Sequence, residues 1–104
     1  MVELSDGDAG TRRGVRAGET ISIALSESPT TGFRWELADP DDFEEIGDRT
    51  VAATLPPGAP GTRVFLVRPR RSGSLLRLRL VKRRRWERTA AEEFVVDLDV
   101  AAAE

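Results

Sequence analysis

Apolar residues recur at every second position along most of the chain. Ile21, Ile23 and Leu25 alternate with Ser22, Ala24 and Ser26, and Phe33, Trp35 and Leu37 alternate with Arg34 and Glu36. Leu76, Leu78 and Leu80 alternate with Arg77 and Arg79, and Phe94, Val96, Leu98 and Val100 alternate with Val95, Asp97 and Asp99. Period two marks a half-buried strand with one apolar face. The run Val64-Phe65-Leu66-Val67 predicts a more fully buried strand over residues 63–68. Further strands are expected at 2–5, 13–16 and 51–55. Helical periodicity is nearly absent. One helical turn is expected over 40–46, with the acidic run 39–45 as a solvated loop. Turn signals separate these segments: Ala17-Gly18, Ser28-Pro29 with Gly32, Asp39-Pro40, Pro56-Pro57-Gly58, Pro60-Gly61 and Ser72-Gly73. Seven to eight short antiparallel strands spaced in this way predict an all-β sandwich or barrel. No repeat or linker interrupts the 104 residues, so residues 1–104 are read as one domain.

The last two strands allow a register to be chosen. Pairing residues whose numbers sum to 176 sets Leu76, Leu78 and Leu80 against Val100, Leu98 and Val96. It also sets Arg77 against Asp99 and Arg79 against Asp97, and a slip of two loses one of those pairs. Such strands, at about 75–82 and 93–100, are joined by a connection over 83–92. That is longer than the two to five residues of an ordinary hairpin.

Composition narrows the chemistry. With 39% apolar and 33% charged residues the chain is an ordinary globular one. It has no cysteine and no histidine. Disulfides, thiolate or imidazole metal sites and Ser-His or Cys-His catalysis are thereby excluded. Its carboxylates form no recognisable acid–base constellation, so no enzyme and no cofactor is expected. No apolar run approaches the roughly 20 residues of a spanning helix. The first residues carry no signal-peptide core, so the chain as given reads as cytoplasmic, or as periplasmic or secreted if a leader was removed. No large apolar stripe is visible, and a monomer is expected.

Charge is unevenly spread. Residues 36–48 hold seven acids and no base, whereas 68–88 hold ten bases and only Glu87 as an acid. Fifteen of the sixteen bases are arginine. This predicts a dipolar surface or internal neutralisation on folding. Lys82 to Arg85 with Trp86 and Arg88 raise single-stranded nucleic acid as a rival ligand. The net charge of −2 and the missing nucleic-acid fingerprint count against it.

Three loops stand out in order: Ser28-Pro29-Thr30-Thr31-Gly32-Phe33, followed by Arg34-Trp35; Pro57-Gly58-Ala59-Pro60-Gly61-Thr62; and Arg84-Arg85-Trp86-Glu87. Together they resemble the chagasin family of cysteine-peptidase inhibitors (inhibitor family I42), over roughly residues 15–100. The first loop matches the family pattern N-P-T-T-G-[YF]-x-W except at Ser28. The second matches G-x-G-G except that Pro60 replaces the third residue. The third matches R-P-W except that Arg85 replaces the proline.

The resemblance implies an immunoglobulin-like β-sandwich that inhibits papain-like cysteine peptidases reversibly, through three loops at one end. It implies that Thr30 and Thr31 enter the catalytic centre. Gly58 to Thr62 would run along the non-primed cleft. Trp86 would pack beside the primed cleft, with Arg84 supporting its loop or reaching enzyme carboxylates. A rival reading for Trp86 is that it folds back on the sandwich, and one for the whole chain is a binding or assembly module with no peptidase target. Phe33 and Trp35 are expected in the core. Pro60 removes a backbone N–H, and Arg85 loosens a loop that proline would stiffen.

Overall fold

The computed structural model describes residues 1–28, 32–38, 40–51 and 61–102. Eight strands are formed: β1 (Val2–Ser5), β2 (Arg12–Arg16), β3 (Ile21–Glu27), β4 (Phe33–Leu37), β5 (Phe43–Val51), β6 (Gly61–Pro69), β7 (Gly73–Arg84) and β8 (Glu92–Ala101). They build two four-stranded sheets, ordered β1-β3-β6-β5 and β2-β8-β7-β4. The inward residues of the alternating segments make one core. Ile21, Ile23, Leu25, Phe65 and Val67 come from the first sheet, and Leu78, Leu80, Phe94, Val96 and Leu98 from the second. All-β architecture therefore follows from period two, as expected.

Strand directions depart from expectation at two sheet edges. Four pairings are antiparallel, but β1 runs parallel to β3 and β2 runs parallel to β8. Neither pair is joined by a hairpin, so local turn chemistry does not set its direction. A 3-10 helix at Asp6–Asp8 passes the chain from the first sheet to the second.

The turn expected over 40–46 is also corrected. Phe43 begins β5 and is fully buried, while Glu44 and Glu45 lie on an edge strand in solvent. Charges are tolerated there, and they discourage pairing with other chains. A bulge between Glu45 and Gly47 reinforces that protection. The strand expected at 51–55 contributes only Val51, the end of β5; residues 52–55 lie outside the described residues.

The β7–β8 register is shifted by two from the expected one. Leu76 faces Leu98, Arg77 faces Asp97 and Leu78 faces Val96. Leu76, Leu78 and Leu80 meet apolar residues in either register, but the observed one also sets Phe94 against Leu80, where the expected one has Lys82, and Lys82 against Glu92. Asp99 was available to a third strand: Arg12 of β2 grips it with Nε at 2.6 Å and Nη2 at 3.0 Å. Arg79 instead reaches Glu93 at 3.1 Å. A bulge at Ser74 and Leu75, with Leu75 at φ 53°, absorbs the offset before Gly73 meets Val100. The connection shortens to residues 85–91 because both strands extend beyond the expected limits.

A double-mutant cycle checks this register. Arg77 and Asp97, 3.2 Å apart on the surface, should couple by about 0.3–0.5 kcal/mol in urea unfolding. The Arg77–Asp99 cycle should show no coupling, and the reverse result would restore the other register.

Candidate functional site

Three connections leave the sandwich at the same end. Residues 28–32 join β3 to β4, 52–60 join β5 to β6, and 85–91 join β7 to β8. Strand pairing requires it. Glu27 lies opposite Gly61, Phe33 opposite Arg84, Val51 opposite Thr62 and Lys82 opposite Glu92. Of the residues singled out in sequence, Pro29, Thr30, Thr31, Gly58, Ala59 and Pro60 lie outside the described residues. Ser28, Gly32, Phe33, Gly61, Thr62, Arg84, Arg85 and Trp86 are described, and all belong to this pole.

The roots of these connections are held by a buried ionic network. Glu27 continues the inward phase of Ile21, Ile23 and Leu25, and is 4% exposed. Its Oε2 accepts the Trp35 backbone N–H at 2.9 Å and Nη1 of buried Arg63 at 3.0 Å. Arg63 also donates Nη2 to Asp48 Oδ2 at 2.6 Å and Nε to the other carboxylate oxygen. Trp35 Nε1 donates to the Ser26 carbonyl at 3.0 Å. A strand of the second sheet is thus tied to β3 and β6 of the first. Because β4 is an edge strand, its outward N–H groups need partners, and Glu27 supplies one.

Glu27, Arg63 and Asp48 were missed by reading motifs. Phase was the available signal. Glu27 is in step with Ile21, Ile23 and Leu25, and Arg63 is in step with Phe65 and Val67. A charge at an inward position requires a buried partner of opposite sign. The hydrogen bonds that Arg63 donates to Asp48 hold the Asp48 carboxyl below its ordinary value and raise Arg63.

The third connection is closed by its own side chains. The Glu87 N–H donates to the Arg84 carbonyl at 3.0 Å, forming a turn centred on Arg85 and Trp86. Arg83 donates Nη1 to the Glu87 carbonyl at 3.0 Å and Nε to the Glu36 carboxylate. The Ala91 N–H bonds to the Lys82 carbonyl at 2.8 Å. Proline at the position of Arg85 would preset this turn; here the flanking arginines and Glu87 close it instead.

Trp86 is 74% exposed, so it does not fold back into the core. Its ring stands by the first connection: a Cβ at Gly32 would sit 3.6 Å from Trp86 Cη2. Gly32 itself has φ +77°, where a side chain would strain the backbone. The Arg84 guanidinium lies 4.3 Å over the Phe33 ring and 6.0 Å from the Trp86 ring centroid. Arg84 therefore braces its own loop. Trp35 is in the core as expected, but Phe33 is only half-buried, covered by that guanidinium.

A rigid sandwich that presents a tryptophan and three connections at one pole is a loop-bearing binding module. More specifically, the chain belongs to the chagasin family of peptidase inhibitors, I42, whose family model matches residues 14–100. Its fold is similar to that of the cysteine protease inhibitor EhICP2 from Entamoeba histolytica, at 21% identity and TM-score 0.82, covering 95% of this chain and 94% of that one. Amebosin is similar at 24% identity and TM-score 0.77, covering 95% and 96%. Leishmania mexicana ICP is similar at 27% identity and TM-score 0.66, covering 89% and 90%. No curated protein sequence matches the chain. Membership of an inhibitor family agrees with the reading of a chain that is not an enzyme. Among the described residues no helix is long and apolar enough to cross a membrane.

Two outcomes test the network. Glu27→Gln should cost about 1–2 kcal/mol in chemical denaturation, because Arg63 keeps Asp48 but its buried charge-assisted bond from Nη1 becomes a neutral one. The pH dependence follows from Asp48. Its folded value is depressed, so the unfolded chain binds more protons in the acid range. The contribution is present above the ordinary aspartate value of 3.8 and is lost as pH falls below it. Melting curves from pH 7 to about pH 2.5 should show this loss. Asp48→Asn should flatten part of it, and an unchanged acid limb would contradict the assignment.

Proposed function

We infer that the protein is a reversible inhibitor of papain-like cysteine peptidases, whose loops at 28–33, 57–62 and 83–88 occlude the active-site cleft. One observation carries the reading. In a chain of the chagasin family, Gly32 of the Ser28-Pro29-Thr30-Thr31-Gly32-Phe33 motif lies against exposed Trp86, at the pole where Gly61 begins β6. Thr30 and Thr31 enter the catalytic centre with hydroxyls and no activated nucleophile, so nothing is turned over. Residues 58–62 run along the non-primed cleft and offer backbone hydrogen bonds. Trp86 packs beside the primed cleft, braced by Arg84.

The network around Glu27 supports this role, because a wedge whose roots are fixed loses little entropy on docking. Trp86 is the residue type most often found as an anchor. The domain acts whole, over residues 1–104, as a monomer without cofactor or membrane. Its compartment is proposed as cytoplasmic, with a periplasmic or secreted location as the alternative. A bacterial source is proposed as well.

A non-inhibitory binding or assembly module is the second reading. It is favoured by Pro60, which removes a backbone N–H from the second motif. Nucleic acid is disfavoured further, since Arg83 and Arg84 are engaged by Glu36 and Glu87.

Titration against papain and a cathepsin L-type enzyme separates these. Stoichiometric, reversible inhibition is expected, weakened about tenfold or more by Trp86→Ala or Thr31→Asp, with melting temperatures close to wild type. No inhibition at micromolar concentration would move the assignment to the module.

A further inference from the structure

The arginines of the third connection fall into two groups. Arg83 is held by Glu36 and Arg84 reaches Glu87 at 3.4 Å. Arg85 and Arg88 are exposed and form no ion pair among the described residues. Residues 83–88 hold four arginines against one glutamate, although the whole chain has a net charge of −2. Arg34, its side chain 66% exposed and its Nε 3.8 Å from Glu27, lines a hollow of about 230 Å³ together with Trp35, Arg83, Arg85 and one acid, Glu36, which Arg83 holds. The rim beside Trp86 is therefore positive on a weakly negative molecule.

We propose that Arg85 and Arg88, with Arg34, select papain-like peptidases whose surface beside the cleft is acidic, and that they act on the rate of association. The inference rests on the inhibitor reading above and names the kind of target that reading leaves open. Among the described residues no contact engages these two guanidinium groups: the turn is already closed by Arg83, Arg84 and Glu87. Solvated rim charges add little to final affinity but steer the encounter, and they penalise a partner of like charge. Trp86 anchors the docked state, so the two functions divide between neighbouring residues. Placing arginine where the resembled motif has proline exchanges a stiff residue for a charge at the centre of this rim.

Stopped-flow association tests this with two papain-like peptidases, one acidic and one basic around the cleft, as salt rises from about 20 to about 300 mM. The acidic enzyme should associate faster, and its kon should fall about tenfold over that range. Arg85→Glu with Arg88→Glu should lower that kon about tenfold at low salt and less than twofold at high salt, with koff nearly unchanged. The Arg85→Ala, Arg88→Ala pair should fall between, and circular dichroism should show both pairs folded. Inhibition that persists with a kon indifferent to salt and to charge reversal overturns this inference and leaves the inhibitor reading standing. Failure of the unaltered protein to inhibit either enzyme removes both.

Discussion

The buried contact of Glu27 with Arg63 and with the Trp35 backbone sets the geometry of the loop pole. Without it, β4 would be an edge strand paired only with β7, and its described ties to the first sheet at that pole would be apolar packing and the Trp35 indole bond to the Ser26 carbonyl. Apolar packing is strong but nondirectional. A carboxylate 4% exposed, fixed by a guanidinium and a peptide N–H, is directional and has few alternative arrangements. Burying charge is costly, and the network offsets that cost only because Glu27, Arg63 and Asp48 satisfy one another. The cost falls where the first connection leaves β3 and where the second enters β6.

That placement links stability to recognition. A binding loop is useful when its ends are rigid and its tip is presented without ordering cost. The third connection reaches the same end by different means. Its turn is closed by a backbone hydrogen bond, a guanidinium on a carbonyl and a guanidinium stacked on Phe33. Trp86 is left in solvent beside Gly32, with its ring available for contact. That exposure agrees with the anchoring role proposed for Trp86.

The uneven charge of the chain is partly resolved internally. The acidic stretch and the basic stretch meet across strands at Glu36 with Arg83 and at Asp42 with Arg71, 3.0 Å apart, while Asp48 pairs with Arg63 outside the basic stretch. What reads in sequence as a dipole becomes in part local neutralisation, while Arg85 and Arg88 stay in solvent on either side of Trp86.

Alternation at Ile21-Ile23-Leu25, Leu76-Leu78-Leu80 and Phe94-Val96-Leu98-Val100 was sufficient for the sandwich, because side-chain period is a property of one strand alone. The motif residues Gly32, Phe33, Gly61 and Trp86 were legible too, since turn chemistry and exposed aromatics are local signals. Pairing was not. In the β7–β8 register that forms, Asp99 meets Arg12, 87 residues away in sequence, and not Arg77. The direction of β1 and β2, the strand at β5 and the partners of Glu27 depended likewise on distant chain. A sequence carries the face each residue must turn inward, but which charge meets which is settled by competition among strands, and only the folded chain brings all the competitors together.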